Sequence, residues 1–210
     1  EETDESGVSE VVALFHGAYK EVKLSFIWEL LTCMHMGEKI TTAYFKTSFG
    51  ELLLGSFQDR LCLCDWSYRK MRSSIDQRIK NGLEAEYEAG ESEIIEKTRK
   101  QLSDYFAGER TSFDIPLLMV GSDFQKKVWQ ELIRIPWGKT ESYAGLSKRL
   151  GDMKAIRAVA SANGANAISI IVPCHRILGS DGRLTGYAGG LATKRKLLRL
   201  ENALAQGELF

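Results

Sequence analysis

Residues 168–178 read ISIIVPCHRIL, and the chain concentrates its chemistry there. Ile168 to Val172, apolar but for Ser169, reads as a short buried strand. Pro173 ends it, because proline has no N–H for a ladder and fixes its own φ. Cys174, His175 and Arg176 follow before the chain turns apolar again at Ile177 and Leu178. A thiol therefore sits at the mouth of a rigid element, beside a base and a fixed cation. A nearby base or cation raises the thiolate fraction, so the arrangement suits an activated nucleophile. The competing reading is a packed structural cysteine with two polar neighbours.

Working outward, Ser122 with Gln125 three residues on fits a capping box, so a helix is expected over Ser122–Ile133. Its apolar face would be Phe124, Val128, Trp129, Leu132 and Ile133, followed by a turn at Ile135-Pro136-Trp137-Gly138. Thr140–Leu150 and Met153–Asn163 read as two short helices around Gly151-Asp152, a helix-turn-helix pattern whose second helix would enter a DNA groove. That second helix is rich in small residues, which suit either a groove wall or tight packing. After the PCHR stretch comes a glycine-rich loop, Ser180–Gly190. It lacks phosphate-cradle spacing, so nucleotide binding is not expected, and it fits a mobile pocket wall. Thr193–Ala203 reads as the last helix. Glu201 continues its stripe of Lys194, Leu197 and Leu198, so the carboxylate is a candidate for pointing inward, although Leu200 and Leu204 offer a competing face.

The first half is different. Ile40–Thr47, Leu52–Phe57 and Leu61–Trp66 read as an antiparallel meander. Arg69–Glu93 reads as helix plus loop, and Ile94–Phe106 as an amphipathic helix stopped near Gly108. Glu1–Gly37 has helix-like spacing and an unassigned role. Net charge is zero, but residues 1–120 carry 14 Lys+Arg against 21 Asp+Glu, and residues 121–210 carry 14 against 7. The basic half is the half with the thiol, which fits a nucleic-acid partner. No apolar run is long enough for a membrane span, and no secretory signal is legible. Cys33, Cys62, Cys64 and Cys174 form no disulfide framework. Cys62 and Cys64, two apart on a strand, share a face and are expected to be packed thiols. A zinc set with Cys33, His35 or His16 is the alternative, and no metal is assigned.

Val172-Pro173-Cys174-His175-Arg176 resembles the signature of the O6-alkylguanine-DNA alkyltransferases. The resemblance runs in order from Gly121 to Glu201, and weakly upstream to about Thr41. It includes Phe124/Val128-Trp129, Ile135-Pro136/Gly138, and the run around Tyr143 and Lys154-Ala155 to Asn166. It implies an α/β (α+β) fold: a ribonuclease H-like antiparallel sheet with helices over 39–118, and a mostly helical, winged-helix-like helix-turn-helix domain over 121–205. Residues 1–38 are left as an extension.

The resemblance further implies direct, single-turnover transfer of an alkyl group from O6-alkylguanine, and from O4-alkylthymine, to Cys174, with the base flipped out and no cofactor. His175 would deprotonate the thiol through a water, and Glu201 would orient His175. Asn166 would tie the reading helix to the active-site strand. Tyr143 would help swing the target phosphate and protonate guanine, and Arg157 would fill the vacated stack. Ala155 and Asn163 fall on the DNA-facing side of the reading helix. Ile177, Tyr187 and Ala188 would line the base pocket, and Arg176 is left as structural. Ala188 stands where some members carry Ser, Ser147 where the family has Ala, and Asn163 interrupts a small apolar run.

The expected partner is double-stranded DNA, met in the minor groove with weak sequence preference by a monomer. The expected compartment is cytoplasmic in a prokaryote and nuclear in a eukaryote. Two other classes fit parts of the pattern: a DNA-binding regulatory module with an alkylation-sensing Cys174, and a cysteine hydrolase. Against the hydrolase, adjacent residues on an extended chain point to opposite faces.

Overall fold

The computed structural model describes residues 38–204. The readings of Glu1–Gly37, with Cys33, His35 and His16, lie outside them.

Three strands open the fold, β1 (Glu38–Thr47), β2 (Gly50–Phe57) and β3 (Arg60–Trp66), paired antiparallel as the meander predicts. At the β2–β3 turn, Gln58 and Asp59 both take positive φ, which matches the twist of the strands they join. Helix α1 (Arg72–Leu83) and strand β4 (Ala85–Ala89) follow, and the sheet order is β3-β2-β1-β4. Strand β4 was not expected. Its sequence AEYEA buries only Ala85, so it lacks an apolar alternation; it forms because the edge of β1 is open to it. Helix α2 (Glu93–Phe106) is capped by the Ser92 side chain and buries Ile94, Ile95, Thr98, Gln101, Leu102 and Tyr105. Each large apolar side chain of that set contributes about 1.5–3 kcal/mol on full burial.

The free edge of β3 is where the second half attaches. Leu61 bonds Pro116 and Leu118 through its backbone. Further along, Cys64 N–H donates to Ala167 O at 2.9 Å, and Ser169 N–H donates to Cys64 O at 2.6 Å. The stretch before the thiol is thus pinned to the sheet. A single cluster of buried apolar residues takes in β2, β3, α2 and the helices that follow.

Helix α3 (Asp123–Ile133) starts with the predicted Ser122/Gln125 capping box. Val128, Trp129 and Leu132 are buried, but Phe124 and Ile133, expected on the same face, are exposed at its two ends. Strand β5 (Glu141–Ser142), α4 (Tyr143–Arg149), a 3-10 turn (Met153–Ala155) and α5 (Ile156–Gly164) form the helix-turn-helix. Gly151 takes φ +82° between them, a conformation cheap only for glycine. Trp129 Nε1 donates to Ala162 O at 2.8 Å and fastens α5 to α3.

The predicted strand at Ile168–Val172 is a correction. The segment is a tight loop with isolated bridges only, and Ile170 takes φ +74°. Apolar character reported its burial correctly, but periodicity does not separate a buried loop from a strand. The loop is stabilised instead by the Asn166 amide, which accepts from Ile168 N–H at 2.9 Å and donates to Val172 O at 2.9 Å. Cys174–Arg176 is a 3-10 turn, and β6 (Ile177–Leu178) pairs parallel with β5. The last helix, α6, spans Gly190–Leu200 rather than Thr193–Ala203, with Glu201 as its C-cap.

Candidate active site

Cys174 begins the 3-10 turn and is buried at 3% exposure, yet it lines a cavity of about 560 Å³. Tyr143, Asn163, Asn166, Tyr187 and Ala188 line that cavity. The β3–α1 connection, Tyr68–Met71, adds a wall that the sequence did not announce. Ile177, expected in the wall, is fully buried in the core and is not among the lining residues.

Behind the thiol lies a buried polar network. His175 Nε2 lies 2.9 Å from Glu201 Oε1, and both residues are fully buried. Arg176 donates to both Glu201 oxygens, from Nε and Nη2, at 2.8 Å each, and from Nη1 to Ile135 O at 2.5 Å. The cation expected beside the thiol is therefore committed to Glu201, consistent with a structural part. Tyr105 on α2 donates to Glu201 Oε1 at 2.6 Å. Burial alone would raise the Glu201 carboxyl, but hydrogen bonds from His175 and Arg176 outweigh it and hold it at about 2. Burial lowers the His175 imidazole, so it rests neutral. With Nε2–H given to Glu201, Nδ1 is the basic lone pair, and it is buried with no partner among the described residues.

Cys174 is pushed up from the ordinary thiol value, first by burial; the Asn166 amide, 3.2 Å from Sγ, works against that. The resting side chain is therefore a thiol, and a base must make the thiolate when substrate is present. Fully buried Lys194 on α6 is lowered to about 8 by burial and donates to Ile177 O and to Thr185 O. Tyr143 is raised by burial, so its phenol keeps its proton; Asn163 Nδ2 approaches its oxygen at 3.5 Å. Tyr187 OH accepts from Trp66 Nε1 at 3.0 Å, which fixes that wall.

Arg157 is exposed on α5 and has no hydrogen bond or ion pair among the described residues. Ala155 is half-buried at the start of the same helix. Lys148, Arg149 and Lys154 are exposed around the helix-turn-helix. Tyr105, Lys194, Trp66, Asp65 and Arg69 belong to the site's surroundings and were missed. The one sequence signal for them is a lysine, Lys194, on the otherwise apolar stripe that ends in Glu201. Cys62 and Cys64 fall into separate apolar clusters and do not converge, and burial pushes Cys62 up to about 12. No cluster of His, Cys, Asp and Glu among the described residues could hold a metal.

Two family models match the chain. One is 6-O-methylguanine DNA methyltransferase, ribonuclease-like domain, over residues 40–119; the other is 6-O-methylguanine DNA methyltransferase, DNA binding domain, over residues 123–203. The chain is 40% identical over 162 residues to the methylated-DNA–protein-cysteine methyltransferase of Methanosarcina acetivorans, covering 77% of this chain and 97% of that relative. It is 41% identical over 167 residues to the constitutive methylated-DNA–protein-cysteine methyltransferase of Bacillus subtilis, covering 77% and 93%. It is also similar to the crystal structure of Mycobacterium tuberculosis OGT in complex with DNA, with TM-score 0.65 and 37% identity over 79% of this chain and 93% of that one.

Proposed function

The chain belongs to the 6-O-methylguanine DNA methyltransferase family, and from that premise we propose that Cys174 is the atom-accepting end of its reaction. The activity is that of a methylated-DNA–protein-cysteine S-methyltransferase, direct repair of alkylated DNA. The observation that carries the assignment of roles is the cavity: Cys174 lies in its wall, with the Asn166 amide on its sulfur and a His175–Glu201 pair behind it.

The thiol proton passes through a water to His175 Nδ1, and Glu201 stabilises the imidazolium that forms. Sγ attacks the alkyl carbon; the S–C bond forms as the C–O6 bond breaks, and the electron pair leaves on guanine. Tyr143, held protonated, gives its proton to the departing base and regains one from solvent. The product is a thioether, which no group in the site reverses, so each molecule acts once and needs no cofactor. O4-alkylthymine offers the same kind of alkyl carbon and is included among the substrates.

The target base must leave the stack to reach a cavity wall. Arg157, exposed and uncommitted on α5, takes its place; Ala155 is the N-cap of that helix, and Asn163, buried near its other end, meets the flipped base from the cavity wall. We assign minor-groove entry with weak sequence preference, because an inserted side chain and backbone contacts read little sequence. The protein acts as a monomer in the compartment that holds the DNA: the cytoplasm of a prokaryote or the nucleus of a eukaryote. Residues 39–118 form the structural domain and 121–205 the DNA-binding, alkyl-accepting one. The test is stoichiometry. Duplex carrying labelled O6-methylguanine should transfer one label per protein molecule and then stop. Continued turnover, or label released to solvent, would favour a hydrolase.

A further inference from the structure

We infer that Asp65 and Arg69 form a brace that locks Asn166, and through it the thiol of Cys174, to the C-terminal end of the DNA-reading helix, which makes both of them positioning residues for alkyl transfer. The inference rests on Cys174 being the acceptor.

Asp65 is fully buried at the end of β3, and Arg69 is 7% exposed in the connection that follows. Arg69 Nη1 is shared between Asp65 Oδ2 and Asn166 O, at 2.7 Å each. Its Nη2 donates to Gly164 O, the last residue of α5. The other Asp65 oxygen accepts from Ser169 Oγ at 3.0 Å and from Trp66 N–H at 3.0 Å. One ion pair therefore holds residues 164, 166 and 169, on both sides of the Asn166 amide. That amide in turn bonds Ile168 N–H, Val172 O and the Cys174 sulfur. Arg78 from α1 adds a third cap, donating to Ala165 O at 2.7 Å.

Stability alone is a weak reason for this pair. Two buried charges lose their hydration, and apolar residues of similar volume often serve the fold as well. What the pair supplies is direction. The guanidinium fork reaches several acceptors in one plane, which an ammonium cannot do. It also sits where the helix dipole favours a cation. Every bond it makes outside its own strand and loop, apart from the Arg72 guanidinium that also reaches Asp65 at 3.3 Å, falls on the segment between reading helix and thiol. A displacement of α5 by bound DNA is thereby carried to Asn166 rather than absorbed in the loop.

The test compares wild type with Asp65→Asn/Arg69→Met, which removes both charges together so that no buried ion is left unpaired, and with Arg69→Lys, which keeps the charge but not the fork. Three quantities are read: thermal unfolding, single-turnover transfer from methylated duplex, and the pH profile of Cys174 alkylation by iodoacetamide, located by peptide mass spectrometry. The last needs no DNA and reads the thiol directly. The groups that set it are Lys194 of α6, Tyr143 of α4, Tyr187 of the glycine loop, His175, and the Asp65–Arg69 pair itself. In the folded double variant the Asn166 amide is released from the sulfur, which moves the profile alkaline and outweighs the smaller opposite effect of losing the Asp65 charge. Transfer should fall about 10- to 100-fold, the scale expected when a reacting group is misplaced by a fraction of an ångström to 1 Å. Arg69→Lys should fall between the two.

A folded double variant with the wild-type profile and wild-type transfer overturns the brace. If the double variant does not fold, Arg69→Lys decides: wild-type transfer and profile in that variant overturn it equally. Failure of the wild-type protein to take methyl from DNA would instead overturn Cys174 as acceptor, a distinct result.

Discussion

Replacing Glu201 by Gln tests the network behind the thiol. The carboxylate receives His175, both ends of the Arg176 fork and Tyr105 while fully buried. Gln keeps the shape and one acceptor oxygen, but it removes the charge that matches Arg176 and adds an N–H that can point at His175 Nε2. An amide donating there would move the imidazole proton to Nδ1, the nitrogen that must be free. A wrong tautomer in a base–carboxylate pair costs about 10⁴-fold in the serine protease triad; a water-bridged base of this kind should lose about 10²- to 10⁴-fold. The structural cost is separate, about 3–5 kcal/mol for a buried Arg176 left without its counter-charge.

The same carboxyl gives the pH dependence. Its folded value of about 2 lies below the ordinary 4.5, so its contribution is fully present above 4.5 and is lost as pH falls toward 2. The size of that shift corresponds to about 3 kcal/mol. His175, lowered by burial, adds a loss of the same sign that begins near its ordinary 6.5, because the unfolded chain takes up the proton first. Urea unfolding from pH 8 to pH 3, with single-turnover transfer at pH 7.5, reads both parts. In Glu201→Gln the loss between pH 4.5 and pH 3 should shrink and transfer should collapse. A folded Glu201→Gln protein that transfers at the wild-type rate would refute the tautomer argument.

Cys174→Ala should abolish transfer but leave duplex binding by gel shift unchanged; loss of binding in a folded variant contradicts the separation of the two roles. Arg157→Ala should slow repair in duplex more than reaction with free O6-benzylguanine, and equal losses on both would remove the stack-filling role. Ser147 carries a buried hydroxyl with no partner among the described residues, so Ser147→Ala should raise stability by about 1 kcal/mol in urea unfolding; a loss of that size would mean the hydroxyl has a partner.

What could be read beforehand was what is encoded locally. The Ser122/Gln125 box, the three-strand meander and the glycine between α4 and the 3-10 turn before α5 each depend on a few neighbouring residues, and each forms where expected. Cys174 and His175 stand out in the sequence because the thiol and the base are adjacent, whereas Asn166 is pointed to only by the family resemblance; its amide lies 3.2 Å from the Cys174 sulfur. Glu201 was half legible, as a polar residue on a stripe with two leucines. Strand β4 was not, since an edge strand of AEYEA is held by its partner rather than by its own pattern. Nor was the loop at Ile168–Val172, whose shape is set by Asn166 and by Asp65, 104 positions from Ser169. Tyr105 meets Glu201 across 96 positions, and no periodicity carries that information. The state of the thiol is not legible from adjacency either: the Arg176 guanidinium is turned to Glu201, and burial pushes Cys174 up from the ordinary thiol value.

The central claim is that the alkyl group ends on one sulfur. The protein should be mixed with an O6-methylguanine duplex, digested, and its cysteine peptides weighed while the DNA is analysed for bases. The account predicts a stable gain of one methyl group on the Cys174 peptide alone, with guanine restored in equal amount. Restored guanine with no adduct on Cys174, or an adduct on Cys62 or Cys64 instead, would contradict it.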